Sequence, residues 1–275
     1  MLNSWVAATI VAVVAGIVGF FVVLRGASFL AHAVPHGAFA GAAGAVLIGL
    51  DPLVGLGLFA AVGALAITAV GRRARADVAT ALTLVAMLGL GALFLSRSTE
   101  YSSEIFALLF GQVLGVSSAE ILPMLSLGAA CVLGVALTYR PLLLSSVLPQ
   151  TAPSRGARPG VMSTVFALLL ACATTTAVPI VGALLMFTLL VGPPAAARLV
   201  TRRPARALLM SVALALVAAW SSIALAYVTD WPVGFFVSAV SAVLYLGGRL
   251  LARRSRKTQL RPGRAAAVSG LAVSR

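Results

Sequence analysis

WVAATIVAVVAGIVGFFVVL, residues Trp5–Leu24, runs its whole length without an ionisable side chain. A bilayer core of about 30 Å is crossed by roughly 20 helical residues rising 1.5 Å each. This stretch alone therefore predicts a membrane-spanning helix. Working outward, the same reading gives Phe29–Leu50, Leu53–Val70 and Val78–Leu95. A polar stretch, Ser96–Ser103, leads into Ile105–Val116, which is too short to span, and Ile121–Tyr139 follows. Beyond a Pro/Gly/Arg loop from Arg140 to Gly160 lie Val161–Val178, Ile180–Ala197, Ala207–Val228 and Val233–Leu251. The expected fold is all-α, a polytopic transmembrane bundle of nine helices. The number falls to eight if Thr174–Pro179, read as the turn between the sixth and seventh spans, belongs to one broken element.

Composition supports that reading and excludes others. The 275 residues are 61% hydrophobic and 9% charged, with mean hydropathy +1.10. Soluble chains carry about 25% charged residues, so this surface faces lipid. A soluble enzyme, a disulfide-stapled secreted module and a disordered chain are all excluded. The net charge of +14 comes from arginine with Lys257 as the single lysine. Such basicity without a soluble surface is a positive-inside excess and not a nucleic-acid footprint. Cys131 and Cys172 sit inside apolar runs and read as small core residues. No cleavable signal is expected, because Met1–Ser4 lacks a basic n-region.

The cations also orient the chain. Arg25 follows the first span, Arg72, Arg73 and Arg75 the third, and Arg140, Arg155 and Arg158 the fifth. Arg198, Arg202, Arg203 and Arg206 follow the seventh; Arg253, Arg254, Arg256, Lys257, Arg261 and Arg264 follow the ninth. The alternate loops hold Asp51, then Glu100 and Glu104 with Arg97, then Asp230. Every second loop is basic, which places the N-terminus outside and the C-terminus in the cytoplasm. Residues 1–251 form a single membrane domain, and 252–275 a basic cytoplasmic tail expected to be poorly ordered and to face anionic lipid. Dense small residues, such as Gly37-Ala-Phe-Ala-Gly41 and Gly55-Leu-Gly57, predict close helix–helix approach.

Polar residues at membrane depth carry the functional information. The two histidines, His32 and His36, lie in one span. Four helical residues turn about 400°, so both imidazoles share a face. Two neutral imidazoles on one face make a half-site for a borderline-soft divalent metal, or a relay for protons. Pro35 has no N–H and frees the carbonyl of Ala31 beside them. The competing reading is that the histidines only hydrogen-bond a neighbouring helix. No Gly-x4-Gly-Lys-Ser/Thr occurs, so the chain has no phosphate-binding loop of its own. Cys-x-x-Cys, His-Glu-x-x-His and Gly-x-Ser-x-Gly are also missing. Three functional classes stay open on residues alone: a permease that borrows an engine, a secondary transporter or channel using His32 and His36 as a relay, and a non-transporting scaffold.

Three stretches resemble the permease subunits of zinc/manganese/iron ATP-binding-cassette importers. The first is Arg25-Gly-Ala-Ser28-Phe-Leu-Ala-His32-Ala-Val-Pro-His36-Gly; His36 matches the family histidine, and His32 stands where the family usually has aspartate. The second is Leu109-Phe-Gly-Gln112. The third, and most specific, is Val181-Gly-Ala-Leu-Leu-Met-Phe-Thr-Leu-Leu-Val-Gly-Pro193-Pro-Ala-Ala-Ala-Arg198. Asp230-Trp-Pro-Val-Gly234 resembles the family's short outer turn before the last helix.

The resemblance implies a type II importer in the cell membrane: two copies of this chain, cytoplasmic P-loop ATPase subunits and an extracytoplasmic metal-binding protein. It implies no permanently bound cofactor; the divalent metal, zinc by the imidazole at position 32 or else manganese or iron, is cargo. His36 and His32 are the implied metal residues. Gln150, Ala152 and Gly156 are the implied ATPase contact, in Pro149-Gln-Thr-Ala-Pro-Ser-Arg-Gly156. Gln150 replaces the family's acid there, and Pro153 disfavours a regular coupling helix.

Overall fold

In the computed structural model, residues 2–71, 75–97, 111 and 113–259 are described. They form nine α-helices: α1 (Leu2–Arg25), α2 (Ser28–Leu47), α3 (Pro52–Gly71), α4 (Ala76–Arg97), α5 (Ser118–Val147), α6 (Pro159–Val181), α7 (Ala183–Val200), α8 (Pro204–Thr229) and α9 (Val233–Gln259). Eight are long and apolar enough to cross a membrane; α7, at 18 residues, is the short one. The all-α expectation holds. Most of the short segment Ile105–Val116, including Leu109, Phe110 and Gln112, lies outside the described residues, as do Arg72, Arg73, Glu100 and Glu104. The last helix continues past Leu251 to Gln259, and 260–275 lie outside the description.

Punctuation residues explain where the helices end. Gly26 at φ +66° closes α1: Ala27 N–H donates to the Val22 carbonyl and Gly26 N–H to that of Val23. Gly49 closes α2 in the same manner, with Leu50 and Gly49 reaching back to Ala45 and Val46. Asp51 accepts the Leu53 N–H at 2.7 Å and so caps α3, with Pro52 behind it. Ser117 and Glu120 form a capping box at the start of α5. Acids that look like loop charges in the sequence are thus partly helix caps.

The break between the sixth and seventh helices is displaced from its expected place. Thr174–Pro179 does not form a turn: α6 runs straight through Pro179 to Val181. The hydroxyls of Thr175 and Thr176 fold back to the carbonyls of Ala171 and Cys172. The chain breaks instead at Gly182, where φ is 81° and ψ 158°. That conformation is open to glycine and strained for other residues. Proline signals a break less reliably in a membrane helix, where neighbouring groups re-satisfy the freed backbone.

Side-chain ties give the direction of each helix. Asn3 reaches the Ser118 hydroxyl at 3.1 Å, and Arg25 reaches Ser145 and Ser146, so α1 and α5 run parallel. The Trp220 indole donates to Thr9 and Ser211 to the Gly16 carbonyl, so α8 is antiparallel to α1. Cys131 donates to the Leu169 carbonyl and Cys172 to that of Leu127, making α5 and α6 antiparallel. Leu185 meets Gly234, Gly192 meets Ser241 and Ala196 meets Gly248, so α7 follows α9 in the same direction. Consecutive helices therefore alternate from one end of the bundle to the other. Arg25, Arg75, Arg155, Arg158, Arg198, Arg202, Arg203, Arg206 and Arg253 fall at one end, with Asp77; Asp51, Glu120 and Asp230 fall at the other, with Arg97.

The centre is built from α1, α2 and α6, with α7 inserted beside them, while α3, α4, α5 and α9 expose apolar sides. Leu58, Leu82, Leu137 and Leu250 are among those outward residues. Small residues let the central helices touch. A methyl on Gly41 would overlap the Gly55 carbonyl oxygen, and one on Gly55 the Gly41 carbonyl oxygen. The expectation of close glycine packing is met at this α2–α3 crossing.

Candidate functional site

His32 and His36 lie one turn apart on α2, and their rings face each other with centroids 4.2 Å apart at 36°. Both are half-buried, whereas Ala31, Ala33, Val34, Pro35 and Gly37 around them are buried. The pair thus looks out from the core along one side of α2. The edge of Phe187, on α7, closes over His32 with ring centroids 5.0 Å apart at 78°. Phe187 lies five residues past the Gly182 break, on the helix that starts there.

The ring chemistry follows from one hydrogen bond. His36 Nδ1 lies 2.9 Å from the backbone carbonyl oxygen of His32. A carbonyl oxygen can only accept, so Nδ1 carries the proton and Nε2 of the neutral ring keeps its lone pair. An outer hydrogen bond of this kind fixes the tautomer and aims a ligand. Among the described residues, none is hydrogen-bonded to the buried Nδ1 of His32. Sequence reading paired the two rings correctly. It directed attention to the Ala31 carbonyl freed by Pro35, whereas the carbonyl that holds the imidazole is that of His32. Phe187 gave no signal beyond its place in the third family-like stretch.

Two imidazoles do not complete a coordination sphere. Among the described residues, no third His, Cys, Asp or Glu stands near enough to make a metal-holding group. Cys131 and Cys172 are free thiols engaged with backbone carbonyls between α5 and α6.

The second feature is the turn between α5 and α6. Pro153–Arg155 is a single 3-10 turn that Gly156 ends at φ 79°. Ala152 and Ala157 are buried beneath it, and Ala157 N–H returns to the Ala152 carbonyl. Gln150, Ser154, Arg155 and Gly156 are exposed at the basic end of the bundle. Of the three residues assigned to a partner contact, Gln150 and Gly156 are presented outward, whereas Ala152 supports the turn from within. Just inside it, Arg25 is held by the hydroxyls of Ser146 (2.9 Å) and Ser145 (2.8 Å), and its guanidinium lies 5.0 Å over the Phe166 ring.

The family described as the ABC 3 transport family matches residues 1–252. The manganese import system permease protein ScaB of Streptococcus parasanguinis is 29% identical over 94% of this chain and 92% of its own. The chelated iron transport system membrane protein YfeC of Yersinia pestis is 26% identical over 88% of this chain and 82% of its own. Among solved structures, PsaBC from Streptococcus pneumoniae in complex with Fab superposes with TM-score 0.84 at 26% identity, covering 94% of each chain.

Proposed function

The chain belongs to the ABC 3 transport family, and on that premise we propose that His32 and His36 form the station at which a divalent metal ion pauses while crossing the membrane. The chain is a multi-pass permease subunit of an importer for divalent metals and is not itself an ATPase. An importer of this kind works with ATPase and binding-protein partners. The observation that carries the station is the ring pair at 4.2 Å, with His36 Nδ1 committed to a carbonyl, a bond that does not use the Nε2 lone pair.

Four donors complete a tetrahedral site, and this chain offers two. A homodimer with the two α2 helices facing each other supplies the other two. Such a station holds its ion with few protein ligands, so the ion can leave when the subunits move apart. Imidazole is a softer ligand than the carboxylate that the family resemblance gives position 32, and this favours zinc over the manganese and iron named for relatives. The arginine-rich end faces the cytoplasm under the positive-inside rule. The nine alternating helices then put the N-terminus outside and the C-terminus inside. Gln150 and Gly156 meet the ATPase at the exposed turn.

His36→Ala tests the station. In cells carrying the whole transporter, uptake of radioactive Zn(II) and Mn(II) is expected to fall at least about tenfold, with permease abundance unchanged. Full uptake at normal abundance would overturn the assignment.

A further inference from the structure

Arg25 joins two places that the importer reading treats separately. On one side it is the last residue of α1, and after two intervening residues α2 begins at Ser28, carrying His32 one turn in. On the other side its guanidinium binds Ser145 and Ser146, which end α5 just before the exposed turn. Both hydroxyls are already committed as donors to the Leu142 carbonyl, so toward Arg25 they can only accept. The fork of the guanidinium matches two adjacent oxygens in a way that a single ammonium cannot. Among the described residues, its partners are two neutral hydroxyls and the Phe166 ring, and no carboxylate is among them.

The corner on the other side is built to turn. Gly26 stands in the left-handed region with open space around its missing Cβ, and only Gly26 and Ala27 separate α1 from α2. At the far end, Asn3 reaches the Val116 carbonyl and the Ser118 hydroxyl at the start of α5, so hydrogen bonds join α1 to α5 near both ends. A push on the turn after α5 therefore reaches the Arg25 corner directly. There it acts on the first turn of the helix that bears the histidines.

We infer that Arg25 is a positioning residue for transport: with Ser145 and Ser146 it transmits movement of the ATPase-docking turn to α2 and so to the metal station. The inference rests on the importer reading above, and its test separates the two. The permease is reconstituted in liposomes with its ATPase and binding-protein partners, and ATP hydrolysis and Zn(II) or Mn(II) uptake are measured on the same vesicles. Arg25→Gln, and independently Ser145→Ala with Ser146→Ala, are expected to keep the complex assembled and hydrolysis within about twofold. Metal moved per ATP should drop about tenfold or more for Arg25→Gln, with Arg25→Lys in between. The inference is overturned if either variant moves as much metal per ATP as the wild type, or if hydrolysis and uptake fall in proportion. Wild-type vesicles that hydrolyse ATP without moving either metal would instead sink the importer reading itself.

Discussion

Position 32 is where this chain departs from the pattern that its family resemblance implies, and the departure has a chemical direction. A carboxylate beside His36 suits a hard ion; an imidazole suits a borderline-soft one. His32→Asp is therefore expected to raise the ratio of Mn(II) to Zn(II) uptake by about tenfold, equivalent to ~1.4 kcal/mol of preference. Competition between the two radioactive ions checks it, and an unchanged ratio would show that selectivity lies elsewhere. The ring pair was legible from the i, i+4 spacing of the histidines. Its supporting partners were not. Phe187 meets His32 from a helix more than 150 positions away in sequence, and side-chain-to-carbonyl bonds such as that of His36 leave no spacing signature. Ser145 and Ser146 looked like any polar pair closing an apolar run until Arg25 was found against them.

At the scale of helices, the α2–α3 crossing holds the flank of α2 opposite the histidines, which themselves lie toward Phe187 on α7. Gly41 and Gly55 bring the two backbones into contact there. Gly41→Val has nowhere to put its side chain and is expected to cost about 1–3 kcal/mol or more, seen as earlier thermal unfolding in detergent. Gly89, with nothing near its missing Cβ, is the control: Gly89→Ala should unfold with the wild type. Most helix existence was legible, since twenty-residue apolar runs leave little choice in a bilayer. The join between α6 and α7 was not. Pro179 drew the reading toward itself, yet a proline can sit within a membrane helix, and the chain turned three residues later at a buried glycine.

For the whole molecule, the asymmetry of charge between its two ends is the most informative property. Arginine counts per loop predicted an alternation that the helix directions reproduce. Which end meets the cytoplasm can be read with single cysteines, because the native thiols are engaged inside the bundle. Leu50→Cys should react with a membrane-impermeant maleimide added to intact cells, and Ser154→Cys only after the membrane is opened. The reverse pattern would invert the proposed orientation.

One further consequence lies in the lengths of α1 and α5. Between its two ties to α5, α1 spans Asn3 to Arg25, about 33 Å of helix; the matching stretch of α5, Ser118 to Ser146, is about 42 Å. The longer rod is strung between two points on the shorter one. Tilt, bending at Pro123 and Pro141, and the reach of the Arg25 side chain must together absorb the surplus. The helix leading to the docking turn can therefore stand straight and parallel to α1 only as far as the side chains of Asn3 and Arg25 reach along it.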